Sequence, residues 1–370
     1  MYTEIDSIQD FVRVLSDEPL DSNEYWLILL AASHSEQVSQ LIEQLNGADI
    51  DYFGALFPGL IDGAQHHTTG AICKRIHCLS PPAIISLESF NTDSLQDLPD
   101  LDMLDGRDVT LLCFPDCHAP NISTFLTEIF NNYGNEINYF GSGTGYNDLR
   151  SAPTLFTAEG FAQQAVLVVF GVMRTSVSAK HGWSRIQGPF VATRTEGNII
   201  KEINWQPAET LYRSVIDPEL AEVPRKEFFT KVSPLYPLCI EKSGAEDVVR
   251  DPIGVTDEGG VICLSDVEEG AVMHLMHGAA EELKKAALEA VVESENHNGF
   301  HDVLVCDCYS RVLLLGDRFK EELQAVADEV KRYNPQINPQ GVIALGEIAS
   351  DGNHAVELYN KTFGICLFNG

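Results

Sequence analysis

The side chains best suited to chemistry occur in short, scattered groups. Cys308 stands three residues before Arg311, and a neighbouring guanidinium favours the thiolate form. Spacing gives this thiol no general base. The chain also has no Gly-x-Ser-x-Gly elbow, no His-Glu-x-x-His and no kinase signature. The expectation is a protein that is not an enzyme, a Cys308-based activity being the exception to test. Met273-His274-Leu275-Met276-His277 carries the side chains of haem ligation, although a Met/His-lined core edge is the commoner use of such a run. Cys113-x3-Cys117-His118 supplies three more metal donors, and His66, His67, Cys73, His77 and Cys78 supply another group. Neither has the paired Cys-x-x-Cys spacing of a structural zinc site, and each lies where a strand or its turn buries small thiols. Gly141-Ser-Gly-Thr-Gly145 departs from the known phosphate loops. No Gly-Lys-Ser/Thr follows it and no apolar helix begins after it, so a tight turn that only glycine tolerates is expected.

Short apolar runs and helical stripes must hold these groups in place. Tyr25 to Ala31 has the length of a buried strand, and Val38, Leu41, Ile42 and Leu45 form one face of a helix capped by Ser35 and ended by Asn46-Gly47. Strands are predicted over 52–57, 71–77, 83–87 and 109–114, an exposed acidic connection over 91–108, and a helix after Asn121 carrying Ile122, Phe125, Leu126 and Ile129. Between Phe140 and Ala208, several strand-like runs with short turns predict an antiparallel meander. Pro207 opens a short helix, and Asp217-Pro218 with Val223-Pro224 mark a domain junction. Strands follow near 236–241, 248–250, 260–264 and 271–276, then a helix over 277–295 and a buried strand over 303–306. Asp317 caps a helix with the stripe Phe319, Leu323, Val326 and Val330, and two strands close the chain near 341–345 and 355–359. The expected fold class is α/β (α+β mixed), in two domains of mixed, largely antiparallel sheets covered by helices. Their boundaries are 24–216 and 217–370, after an N-terminal extension over 1–23.

Composition narrows the function. The chain has 370 residues, the size of two ordinary domains. Its 55 acidic against 24 basic residues give a formal charge of −31, which repels nucleic acid and anionic lipid. No apolar run is long enough for a membrane span, and the acidic start, MYTEIDSIQDF, lacks the features of a signal peptide. Nine scattered cysteines, an odd number, read as reduced thiols of a cytoplasmic protein.

Three stretches together resemble a known family. His181-Gly-Trp-Ser-Arg-Ile-Gln-Gly188, Thr193-Arg-Thr-Glu-Gly-Asn-Ile-Ile-Lys-Glu-Ile203 and Pro207-Ala208 with Leu211-Tyr212 look like the end of the N-terminal domain of the FIST family. Arg250-Asp-Pro-Ile-Gly254 and Glu269-Gly270 resemble the opening of its C-terminal domain. Cys308-Tyr-Ser-Arg311, Leu315-Gly316, Gly341-Val-Ile-Ala-Leu-Gly-Glu-Ile348 and Asn360-Lys-Thr362 are similar to that domain's core. The similarity spans roughly residues 24 to 365. Ser184-Arg185 stands where the family often has a proline near Gly-Trp, and Phe57-Pro-Gly-Leu60 matches its Gly-rich element poorly.

The resemblance implies a cytoplasmic sensory module that binds a small molecule, an amino acid or related carboxylate. It would report to a separate protein such as a histidine kinase, a chemoreceptor or a cyclic-di-nucleotide enzyme. One branch of the family binds haem and senses nitric oxide, so haem is the alternative cofactor, with His274, His277 or His181 as ligand. In the ligand-binding reading, Arg311 holds a carboxylate bidentately, and Glu347 beside Gly346 accepts from an ammonium or from Arg311 itself. Cys308 belongs to the same block, Gly341 and Gly346 admit a close backbone approach, and His181 and Trp183 line a cleft between the domains. The bland reading makes Arg311 and Glu347 an ion pair between neighbouring strands and His181–Trp183 a surface turn.

Overall fold

The computed structural model describes residues 1–295, 299–350 and 355–369. Among these residues the fold is mixed α/β: three six-stranded sheets and one of eight, largely antiparallel, flanked by helices. Alternation along the strands explains the layering. From Glu24–Ala31, Leu27, Leu29 and Ala31 enter a central core with Phe57, Phe114, Phe140, Leu304 and Cys306. Trp26, Ile28 and Leu30 point the other way, against Phe11 and Leu15 of helix Ile8–Ser16 and Leu41 and Leu45 of helix Val38–Gly47. Strand Val109–Pro115 splits likewise, Leu112 and Phe114 inward and Leu111 and Cys113 under helix Ile122–Tyr133. In Phe300–Cys308, Leu304 and Cys306 face inward, while Val303 and Val305 lie under helices Ala280–Ser294 and Phe319–Tyr333. A strand buried on both faces reads as a continuous apolar run, which is how these segments appear in the sequence. The three sheets thus share one core and wear their helices outside. The eight-stranded sheet has its own core, including Ala192, Ile203, Tyr212, Phe228 and Leu275.

Three parallel pairs bracket helices: Glu24–Ala31 with Tyr52–Phe57, Val109–Pro115 with Asn138–Ser142, and Phe300–Cys308 with Gln340–Ala344. The halves of the chain are interleaved through the sheets. Glu347–Ser350 and Glu357–Tyr359 extend the N-terminal sheet beside Asn138–Ser142, with Glu347 opposite Ser142. Conversely, Thr175–Lys180 and Gly59–Asp62 pair with the C-terminal strands Phe363–Asn369 and Gln340–Ala344.

Several expectations are corrected. The stretch from 140 to 208 is no single meander: Ala165–Val172, Thr175–Lys180 and Ser184–Glu196 enter three different sheets, and consecutive strands pair as hairpins at Leu155–Thr157 with Gly160–Ala162 and from Ser184–Glu196 through Ile199–Ile203 to Gln206–Pro207. Ser35 lies inside a 3-10 turn, Ala32–Gln37, that runs straight into the helix, so it is not a cap. Arg318, not Asp317, precedes helix Phe319–Tyr333. The first residues join the first sheet: Tyr2–Thr3 pairs with Ala71 and Ile72, and helix Ile8–Ser16 buries Ile8, Phe11, Val12 and Leu15.

Candidate functional site

The sequence-derived residues meet where two sheets exchange strands. The chain leaves Gln340–Ala344 in one sheet and enters Glu347–Ser350 in another through Leu345-Gly346, and Gly346 has φ 107°, which only glycine adopts without strain. It returns from Glu357–Tyr359 to Phe363–Asn369 through Asn360-Lys361-Thr362, where Lys361 takes φ 55°. Strand Phe300–Cys308 ends between these crossovers and passes directly into helix Tyr309–Leu315. Gly143 lies against the first crossover, its amide donating to Gly346 O at 2.8 Å, and a Cβ there would stand 2.2 Å from Leu345 O. The glycine run at 141–145 therefore serves close packing of backbone on backbone. Gly341 does the same, its missing Cβ making room for Val305 O.

One chain of hydrogen bonds links the candidate residues. Arg311 Nη1 donates to His181 O at 3.0 Å, and the Trp183 amide donates to His181 Nδ1 at 2.8 Å. Trp183 Nε1 donates to Lys361 O at 3.4 Å, and the Lys361 amide donates to Cys308 Sγ at 3.1 Å. The Thr362 amide donates to Glu347 Oε2 at 3.2 Å, while Cys308 N donates to Thr362 O at 3.2 Å. All these side chains are buried, so His181 and Trp183 do not form a surface turn.

Arg311 does not pair with Glu347. Its guanidinium donates to Asp307 Oδ1 (2.9 Å), Glu322 Oε2 (2.5 Å) and Leu283 O (3.2 Å) besides His181 O. The cause is strand alternation: Asp307 and Cys308 point to opposite faces, so Arg311, one helical turn after Asp307, follows Asp307 toward the helices while Cys308 faces Glu347. Burial disfavours the Arg311 charge, but Glu322 and Asp307 more than reverse this and hold its pKa above the ordinary arginine value. With four hydrogen bonds made inside the protein and no exposed surface, Arg311 is a structural clamp rather than a carboxylate receptor.

The Glu347 side of the seam differs. Burial, with the negative charge of Asp307, pushes the Glu347 pKa well above the usual carboxylate range. Burial and Glu347 push the Cys308 thiol up as well, which removes the basis for a reactive thiolate. Among the described residues, Glu347 Oε1 and Asn360 Oδ1 are buried without hydrogen-bond partners, while the Ser142 hydroxyl meets the Cys306 thiol. Lys361 Nζ, also buried, pairs with Asp251 Oδ2 at 3.0 Å, donates to Pro234 O and lies 5.2 Å from the centre of the Trp183 ring. Ser310 Oγ donates to the same Asp251 oxygen, while Asp251 Oδ1 has no partner among the described residues. Sequence reading missed Lys361, Asp251, Asp307 and Glu322 as members of the network. The i,i+4 spacing of Asp307 and Arg311 was a usable signal, whereas nothing in Asn-Lys-Thr marks a buried lysine.

The three histidines named as haem candidates lie apart and have neighbours of their own. His181 Nδ1 is taken by the Trp183 amide, its Nε2 faces Glu246 Oε1 at 3.4 Å, and burial lowers its pKa. His274 Nε2 bonds Glu241 Oε2 at 2.7 Å, and its other nitrogen lies so close to Gly188 that a Cβ there would stand 2.7 Å away. His277, three residues along the same strand and thus on the opposite face, packs on Tyr236. The other donor group is dispersed: Cys73 and Cys78 are buried, and the His66 ring packs on Phe319.

No helix among the described residues is long and apolar enough to cross a membrane. No curated protein matches the chain. Family models do: the FIST N domain matches residues 26–206 and the FIST C domain residues 208–350, together most of the chain. Domains of this family are sensory domains of signal transduction. With both matched in tandem, and with the seam built from their shared sheets, the chain belongs to the FIST family.

Proposed function

We propose that this chain is a cytoplasmic, non-catalytic sensor that binds a small molecule carrying an amino group, amino acids included, at the seam around Glu347 and Asn360. It passes the signal to a separate protein, such as a histidine kinase, a chemoreceptor or a cyclic-di-nucleotide enzyme. The observation that carries this reading is the pair of buried oxygens without partners among the described residues, Glu347 Oε1 and Asn360 Oδ1. An orphaned buried polar group costs about 1–3 kcal/mol, so two on one seam call for a partner with hydrogen-bond donors. An ammonium supplies three donors and a charge that Glu347 can balance by ionising. Carboxylate capture by Arg311 is not part of the reading, because that guanidinium is spent on Asp307, Glu322 and main-chain oxygens.

The seam is closed, so entry of the ligand requires the two crossovers to separate. Occupancy then favours one arrangement of the shared sheets over another, and that differential affinity is what a partner reads. The test is a thermal-shift panel of amino acids and simple amines against the full chain and against Glu347→Gln. Stabilisation by one ligand class that is lost in the variant supports the site. Stabilisation equal in both places the ligand elsewhere, and a flat panel contradicts small-molecule sensing.

A further inference from the structure

We propose that Asp116, Cys117 and His118 form a zinc-binding site with one coordination position open to solvent. The three residues follow strand Val109–Pro115 at its carboxyl end, where the chain turns toward helix Ile122–Tyr133. One donor atom from each lies within 4.8 Å of the others. Cys117 Sγ stands 3.2 Å from His118 Nδ1, and His118 Nδ1 stands 3.8 Å from Asp116 Oδ1. Zinc bonds of about 2.3 Å to sulfur and 2.0–2.1 Å to nitrogen or oxygen put tetrahedral neighbours about 3.3–3.6 Å apart. Small adjustments of His118 and Cys117 therefore bring the donors onto one ion.

The surroundings orient the donors before any ion arrives. Asp116 is only 1% exposed, and its carboxylate is fixed by two main-chain amides, His118 N to Oδ1 at 3.0 Å and Gln164 N to Oδ2 at 2.8 Å. Such outer contacts aim a ligating carboxylate while leaving each oxygen further acceptor capacity. Cys117 Sγ occupies the space above Gly145, where a Cβ would approach it to 3.0 Å. His118 is exposed, so a fourth position opens outward for water or an external ligand. Mixed sulfur, nitrogen and oxygen donors select zinc over magnesium or calcium, and a thiolate with a carboxylate neutralises a dication. The spacing that stood out in the sequence, Cys113-x3-Cys117-His118, is not the ligand set: Cys113 points under helix Ile122–Tyr133, and Asp116 takes its place. This proposal does not rest on ligand binding at the seam, although Leu345 of the first crossover also packs on Gly145.

The experiment titrates reduced, full-length protein with Co2+ and follows the thiolate-to-cobalt charge-transfer band. The other eight cysteines are buried, so the band reports Cys117. The expected result is saturation at one equivalent, displacement by Zn2+, no band in Cys117→Ser and at least about tenfold weaker binding in His118→Ala. Absence of the band at excess Co2+, or an unchanged band in Cys117→Ser, overturns the proposal. Should Cys117→Ser fail to fold, unchanged cobalt affinity in His118→Ala, a change at an exposed residue, overturns it equally.

Discussion

The Lys361 amide donates to the Cys308 thiol at 3.1 Å, tying the crossover Asn360–Thr362 to the end of the strand Phe300–Cys308. Lys361 holds φ 55° there, a conformation costly for a residue with a Cβ, and its ammonium is buried against Asp251. Strain and buried charge at one turn mark the seam as a place kept for more than packing.

Arg311 joins the main chain at His181 and Leu283 to the carboxylates of Asp307 and Glu322. Arg311→Ala leaves both carboxylates buried without their cation, and unfolding by denaturant should show a loss of about 3–5 kcal/mol or no soluble protein. A variant that folds normally would return Arg311 to the list of ligand-binding residues.

Glu347 gives stability a definite pH dependence. Its folded pKa is raised by burial and by Asp307, so below the unfolded carboxylate pKa both states carry the proton and nothing is lost. As pH rises from there toward the folded value, the unfolded state releases its proton first and stability falls. Glu347→Gln cannot ionise. Its stability relative to wild type should therefore improve between pH 4.5 and 8, as denaturation at both ends of that range would reveal. A constant difference would mean that Glu347 is ionised in the folded protein.

Thiol reactivity follows burial. Eight cysteines are buried and Cys117 is half-buried, so a thiol reagent should modify one cysteine in the native protein and nine after denaturation. Peptide mapping should place the native label on Cys117. Fast labelling of Cys308 would contradict its raised pKa and reopen a catalytic reading.

Trp205 is 80% exposed at the tip of the hairpin joining Ile199–Ile203 to Gln206–Pro207, and both Asn204 and Trp205 have positive φ. Trp26 and Trp183 are buried. Iodide should quench one fluorescence component, absent in Trp205→Ala. Trp205→Gly should stabilise the fold by about 1 kcal/mol, since glycine tolerates that conformation.

The apolar runs were legible as strands of buried length: Tyr52–Phe57 and Ala71–His77 stand where the sequence put them. Helix Tyr309–Leu315 was not, because Tyr-Ser-Arg-Val-Leu-Leu-Leu is short, apolar and uncapped, and reads as a strand. The pairing of strands was the larger loss. Turn lengths after Val172 suggested neighbours, whereas pairing is decided by distant partners such as Phe363–Asn369, which pairs with Thr175–Lys180 and Phe300–Cys308. Arg311, His181, Trp183, Cys308, Gly346 and Glu347, singled out in the sequence, lie near one another in the fold. Their contacts were not legible, because whether Arg311 faces Glu347 or Glu322 depends on the strand-to-helix transition at Cys308.

The most direct test of the account is calorimetric titration of the full chain with whichever amine or amino acid raises its melting temperature, repeated with Glu347→Gln and with Asn360→Ala. At about 100 times its dissociation constant such a ligand stabilises the fold by about 2.7 kcal/mol, a readily measured shift. The account predicts one site per chain, with binding lost in Glu347→Gln and weakened in Asn360→Ala, both variants remaining folded. Undiminished binding in both folded variants would contradict it.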